Sequence, residues 1–147
     1  MYFPEFSPEA KIWIYQSNKP MDASLQTELN QKLKRFVGEW SAHGAKLQAE
    51  GEVIDEYRLV LCTDGNIEAS GCSIDSSVRF VKELGQNYNL DFFNRLQVLV
   101  ESDGNKELMH FSKLGENPTK LIFNPAPENL GDFRLKEKLL IAEYLER

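Results

Sequence analysis

Small polar side chains concentrate in the stretch Ala69–Ser77, which also contains Cys72. A strand-like run precedes this stretch and a helix-like run follows it, so the thiol is expected near the start of a helix. That setting can make a thiol a nucleophile or a redox-active group. Such a thiol needs a base, and His43 and His110 are the only histidines. One hypothesis is therefore an enzyme with Cys72 as nucleophile or redox centre, His43 as base, and Asp75 or a serine orienting it.

The same stretch has a simpler interpretation, in which Cys72 packs beneath the following helix and the hydroxyls and carboxylate cap that helix. Free cysteines are most often packing residues, and Ser and Asp are favoured N-caps. With a glycine, serines can also present backbone amides to an anion, although the Asp75 carboxylate would compete for those amides. The candidate ligand-binding residues are Ser70, Gly71, Ser73, Ser76 and Ser77.

Other chemistries lack the residues that they require. No GxxxxGK[ST] string is present, so Walker-type nucleotide hydrolysis is unsupported. The histidines form no HxxxH or HExxH pair and the cysteines no CxxC pair, so neither a metal nor a cofactor is expected. An acid and base pair could lie among four carboxylates, but a solvated sheet edge that resists aggregation is favoured. These carboxylates are Glu50, Glu52, Asp55 and Glu56.

Size and composition favour one folded domain over residues 1–147, with an N-terminal arm over 1–10. The net charge of −6 and the scattered basic residues disfavour a nucleic acid partner. No apolar run approaches the roughly 20 residues that span a bilayer, and the first residues lack a signal-peptide pattern. We therefore expect no membrane association, a cytoplasmic location and two reduced thiols.

Hydrophobic periodicity predicts the elements that would position the candidate residues. The first half is predicted to form a strand over 11–16, a helix from 22 or 24 to about 42–44, strands over 46–54 and 57–62, and a helix from 75–77 to about 85. The second half is predicted to form a strand over 95–101, a hairpin into 108–111, an edge strand over 121–123, and a helix over about 132–145 within a helical extension, 125–147.

The first six predicted elements have the order of the split β-α-β unit of ferredoxin-like folds. The fold is therefore predicted to be α+β, with a ferredoxin-like β-α-β-β-α-β core and an antiparallel sheet. A C-terminal hairpin or edge strand and a final helix extend this core. Two helices cover only one face of such a sheet, yet the strand over 11–16 is apolar on both faces. The final helix, or a second subunit in a homodimer, would cover the other face.

Four strings of the chain resemble a known family over roughly residues 10–125. These strings are WIYQSN from Trp13, WSAHG from Trp40, SGCSIDSSVRF from Ser70 and DFFNRL from Asp91. The family is a group of small uncharacterised Bacteroidetes proteins, whose members often carry the label ABC transporter ATPase. This chain has no Walker A string and no signature motif, and it is too short for such a domain, so that label does not apply. The resemblance implies no reaction and no catalytic residue.

Two functions remain open from the sequence. The first is a non-enzymatic binding or assembly module, a homo-oligomer that recognises an unknown protein or small molecule through residues 69–80 near His43. The second is the enzyme built on Cys72. The exposure of Cys72 and its position relative to His43 distinguish the two.

Overall fold

The structure is a computed structural model that describes residues 1–147, and its helices and strands form two antiparallel sheets and a short hairpin. The strands are β1 Lys11–Gln16, β2 Ser41–Ala42, β3 Ala45–Lys46, β4 Gln48–Val53, β5 Arg58–Asp64, β6 Gln97–Ser102, β7 Asn105–His110, β8 Leu121–Phe123 and β9 Lys138–Leu140. The helices are α1 Ala23–Glu39, α2 Gly71–Tyr88, α3 Leu130–Leu135, α4 Ile141–Leu145 and a 3-10 helix, Phe111–Glu116. The α+β class predicted from the sequence is confirmed.

The first sheet has the strand order β1-β5-β4, and its central strand β5 is apolar and buried on both faces. One face packs against α1 and α2 through a core that includes Leu29, Leu33, Leu59, Leu61 and Val81. The other face places Val60 and Cys62 against the aromatic side chains of the N-terminal arm and of α3. Both faces are thus covered, as predicted, and the cover comes from within the chain.

The N-terminal arm is fixed in place by Arg134 of α3. Its guanidinium donates hydrogen bonds to the carbonyl oxygens of Tyr2, Phe3 and Phe6 at 3.2, 2.6 and 2.9 Å. Phe3 and Phe6 are buried, so the arm packs onto the body as expected. Because the arm and α3 occupy this face, a homodimer through it is no longer needed to bury the strands.

The second sheet has the order β7-β6-β8-β9. A ferredoxin-like core would place β6 in the first sheet, and in this structure β6 belongs to the second sheet instead. The two sheets are bridged by the side chain of Gln16 at the end of β1. Its amide nitrogen donates to the Gln97 carbonyl at 3.0 Å, and its oxygen accepts from the Leu99 amide at 3.1 Å. β8 pairs with only two residues of β6. The Gln16 side chain therefore supplies hydrogen-bond partners to the Gln97 carbonyl and the Leu99 amide, which have no partner in β8.

The predicted final helix over 132–145 is wrong. α3 ends at Leu135, the chain then forms β9, and α4 begins at Ile141. The helical spacing of the leucines arises by coincidence, because Leu139 pairs with Ile122 in the second sheet while Leu135 is 87% exposed. The strand over 121–123 is correctly predicted, but it lies between β6 and β9 and is not an edge strand.

Candidate functional site

Residues 69–77 form the start of α2, which we call the α2 entrance. Ser70 is the N-cap, and it forms a capping box in which the Ser73 amide donates to the Ser70 hydroxyl at 3.1 Å and the Ser70 amide donates to the Ser73 hydroxyl at 2.6 Å. Ser76 and Ser77 donate to backbone carbonyls one turn earlier at 2.8 and 2.6 Å. The helix therefore begins before Asp75, Ser76 and Ser77, the residues predicted to cap it, and the serines are satisfied within their own turn.

Cys72 lies in the first turn of α2 and is exposed, whereas Cys62 is buried at the centre of the first sheet. The prediction that Cys72 packs beneath the helix is therefore wrong, and the packing role belongs to Cys62. Burial, together with the nearby Asp64 carboxylate, raises the pKa of Cys62 to about 12. Cys72 is thus the one thiol of the chain that solvent can reach.

His43 does not lie at the end of a helix, although the first helix was predicted to end at about 42–44, but in the turn between β2 and β3. His43 and Gly44 have φ values of 53° and 78°, and this two-residue turn with positive φ at both positions is a standard hairpin connection. Trp40, just before β2, donates from its indole to the Ser73 carbonyl at 2.8 Å. The hairpin and the α2 entrance are therefore neighbours.

The structure brings the elements that carry Cys72, His43 and Asp75 to one region without assembling a catalytic set. All three side chains are exposed. The hydrogen bonds of the entrance join serine hydroxyls and backbone groups, and none of them involves the thiol. The catalytic roles and the ligand-binding roles of the serines stay predictions.

The structure reveals a second polar centre, which we call the Arg58 cluster: Tyr2, Asp55, Arg58, Lys106 and Glu137. Arg58 is buried and binds Asp55 at 2.8 Å and Glu137 at 3.0 Å. Lys106 lies 3.5 Å from Asp55, and the Tyr2 hydroxyl donates to Glu137 at 3.0 Å. The cluster joins the N-terminal arm, the β4–β5 turn and both edges of the second sheet.

Charge and burial oppose each other in the Arg58 cluster. Burial alone would raise the pKa of the Asp55 carboxyl, but Arg58, the Tyr57 amide and Lys106 outweigh it and lower that pKa. The Arg58 guanidinium also stacks on Phe123, 4.5 Å from the ring centre. Two buried donors, Nη1 of Arg58 and Nδ2 of Asn124, have no acceptor in the protein. The cluster is a structural ion network with a desolvation cost that its contacts only partly offset.

The sequence contains one signal for this cluster, which is the position of Arg58. Arg58 stands directly before the apolar run Leu59–Cys62, within a central strand whose other residues are nearly all buried. A charged side chain in such a strand is rarely buried without a partner. The four carboxylates that were predicted to form a solvated edge therefore differ in their surroundings. Glu50 and Glu52 are exposed, whereas Asp55 is paired and largely buried.

Two open grooves lie on the surface. The β4 groove, of about 380 Å³, lies between Asn30, Lys34 and Val37 of α1 and Glu50, Gly51 and Glu52 of β4, with Phe3 at its base. The α2-end groove, of about 330 Å³, lies between the last turns of α2 and residues 89–93. Neither groove contains a histidine or a cysteine.

The chain matches no protein-family model, no curated protein and no solved structure. No three His, Cys, Asp or Glu side chains lie close enough together to hold a metal ion. None of the helices combines the length and the apolar character that crossing a membrane requires.

Proposed function

We propose that the chain is a non-enzymatic binding or assembly module that recognises a protein or small-molecule partner. The observation that carries this proposal is the composition of the two grooves, which are lined by apolar and charged side chains and by strand or loop backbone. A nucleophile and base act from a concavity that holds the substrate. The exposed Cys72 and His43 line neither of these two grooves, which favours contact rather than catalysis as their use.

The groups with shifted pKa values support the same function. Perturbed pKa values mark catalytic sites only when the groups lie in a cleft, because structural ion pairs shift them as well. Asp55 is paired with Arg58, Cys62 lies in the core, and Tyr2 donates to Glu137. Each of these groups holds elements together, and none lines either groove.

The proposal extends to the topology, the cellular location, the oligomeric state and the family of the chain. We propose that β1, α1, β4, β5, α2 and β6 follow the ferredoxin-like order, with β6 displaced from β1 and linked to it through Gln16. Two free thiols accord with a reducing, cytoplasmic location. We also propose that the protein is a homo-oligomer and that the α2 entrance is one of its recognition surfaces. The four strings further suggest membership of the Bacteroidetes family that they resemble.

Alkylation of Cys72 by iodoacetamide, followed by intact mass on the folded protein, tests this function against the enzyme with His43 as base. We expect the alkylation rates of His43→Ala and Asp75→Ala to stay within about two-fold of wild type, because the thiol is not bonded to either group. A catalytic base typically contributes about 100-fold or more to rate. Cys72→Ala, in which only the buried Cys62 remains, is the control and should not react.

The enzyme hypothesis predicts a different result. If His43→Ala slows alkylation by about ten-fold or more while far-UV circular dichroism stays unchanged, the imidazole activates the thiol. The binding-module proposal would then be abandoned in favour of Cys72 chemistry.

A further inference from the structure

β4 has a free edge that faces the β4 groove. β5 is its only neighbour in the sheet. The Ile54 amide donates to the Arg58 carbonyl, so even-numbered residues of this strand point their backbone groups toward β5. Ladder hydrogen bonds alternate along an antiparallel pair, so Ala49, Gly51 and Val53 point theirs outward.

Only one outward amide of this edge is capped, since the Val53 amide donates to the Asn30 side chain at 2.7 Å. Gly51, at the middle of the groove, has no side chain to cover its backbone. A Cβ there would lie 2.9 Å from Leu61 Cδ2 of β5 and 3.3 Å from Val37 Cγ1 of α1, so a side chain at this position would crowd both neighbours. The backbone groups of Ala49 and Gly51 are therefore available to an added strand.

The groove carries one cation, Lys34 on the α1 side, and two carboxylates on β4. The two carboxylates on the strand itself select what could pair with this edge. Glu50 and Glu52 are exposed, project from the same face of β4, and belong to none of the ion pairs of the chain. Residues directly opposite on paired strands interact, and opposite charges there are favourable. A strand with Lys or Arg at two alternate positions would match both carboxylates, with a small residue between them facing Val37.

A second copy of the chain does not fit this edge. In a two-fold antiparallel pair of β4 strands centred on Gly51, each Glu50 would lie opposite Glu52 of the other copy. A pair centred on Glu50 would place Glu50 opposite Glu50 of the other copy, and a pair centred on Glu52 would do the same for Glu52. Like charges directly opposite are destabilising, so the edge disfavours self-pairing.

We propose that the β4 groove binds an extended segment of another protein, which adds to β4 as a strand and carries basic, small and basic residues at consecutive positions. This inference rests on the proposed function, because it assigns a partner class to a binding module. The β4 groove would then be a second recognition surface, distinct from the α2 entrance.

The test is fluorescence anisotropy with the full chain and short, blocked, labelled peptides that have a Lys-Ala-Lys core. Glu50→Lys with Glu52→Lys should weaken binding by at least about five-fold, since two cross-strand pairs become repulsive. The matched control, Glu68→Lys with Glu83→Lys, changes the net charge equally at two exposed sites outside the groove and should stay within about two-fold. Peptides with a Glu-Ala-Glu core should bind wild type more weakly than the basic peptides.

Amide hydrogen exchange by NMR gives a second measurement of the same inference. Peptide binding should slow exchange at Ala49 and Gly51 by about ten-fold or more, because those amides gain acceptors. Glu50→Gln with Glu52→Gln provides a milder variant in case the charge reversal disturbs folding.

Three outcomes would overturn the inference: no saturable binding of the basic peptides, binding with unchanged exchange at Ala49 and Gly51, or equal weakening in the groove and control variants. Any of these combined with normal Cys72 alkylation in His43→Ala removes this docking surface and leaves the proposed function standing. Slowed alkylation in His43→Ala would remove the proposed function itself.

Discussion

The α2 entrance and the Arg58 cluster are both rich in polar side chains, but their hydrogen bonds span very different lengths of chain. In the capping box, Ser70 and Ser73 are three positions apart. In the cluster, Arg58 and Glu137 are 79 positions apart, and Tyr2 and Glu137 are 135 apart. The entrance organises one helix turn, whereas the cluster ties the N-terminal arm, the first sheet and the second sheet together.

The difference shows why the chemically suggestive stretch is not where the fold is most sensitive. The serines of the entrance are neutral and find hydrogen-bond partners within one helix turn, even where they are buried, as Ser73 and Ser77 are. Their burial therefore costs less than the burial of a charge. The charges of Arg58 and Asp55 in the cluster are desolvated, so each depends on its partners. Removal of one member should therefore cost far more in the cluster than at the entrance.

The largest effect is expected for Arg58→Met. The apolar replacement leaves Glu137 and most of the Asp55 charge without their guanidinium partner, and breaking a buried pair typically costs about 3–5 kcal/mol. Urea unfolding followed by circular dichroism measures the loss. Arg79→Met, which removes an exposed guanidinium from α2, is the control and should change the unfolding free energy by less than about 0.5 kcal/mol.

Equal unfolding free energies for these two variants would contradict the comparison. The Arg58 cluster would then contribute no more to stability than an exposed charge, and the Gln16 bridge and the packing on Phe123 would hold the two sheets together.

A smaller effect is expected from titration of Asp55, whose pKa is lowered in the folded chain. A carboxyl with a lowered folded pKa stabilises the protein above its unfolded pKa, which is about 3.9 for Asp. That stability is lost as the pH falls through the lower folded value. Urea midpoints measured from neutral pH down to about pH 3 should therefore fall less steeply for Asp55→Asn than for wild type.

The titration of Asp55 must be separated from that of Asp64, whose pKa is also lowered, chiefly by the Ser7 amide. Asp64→Asn should remove a smaller part of the acid dependence, because this carboxylate lies near the surface. Asp75→Asn, an exposed carboxylate at the α2 entrance, is the further control. An acid profile for Asp55→Asn that matches wild type would show that Arg58 does not depend on the Asp55 charge.

The sequence predicts well the elements that local pattern specifies. β1, apolar on both faces, lies where it was predicted, and α1 begins as predicted but ends at Glu39, before the predicted end at 42–44. Both faces of β5 are covered as its two-faced apolar pattern required. The residues of 69–77 were correctly linked to capping, although Ser70 performs it and α2 starts earlier than predicted.

What the sequence did not predict depends on contacts between distant segments. Leu139 could equally occupy a helix or a short strand, and only its pairing with Ile122 decides for β9. His43 and Gly44 suit both a helix end and a hairpin turn, and the structure forms the hairpin next to Trp40, whose indole binds the Ser73 carbonyl of the distant helix α2. The Arg58 cluster joins three segments whose proximity no local pattern encodes.

The smallest effect is expected at the α2 entrance, for Ser70→Ala. This change removes the hydroxyl that accepts from the Ser73 amide, and loss of such an N-cap typically costs about 1 kcal/mol. Ser70→Asp keeps an acceptor at the same position and should retain most of the stability. Gly71→Ala is a second control, since a Cβ at that position meets nothing within 4 Å and should be neutral or slightly stabilising. If Ser70→Ala costs as much as Arg58→Met, the entrance supports more than its own helix turn, because loss of the cap would then also release Trp40 and the β2–β3 hairpin.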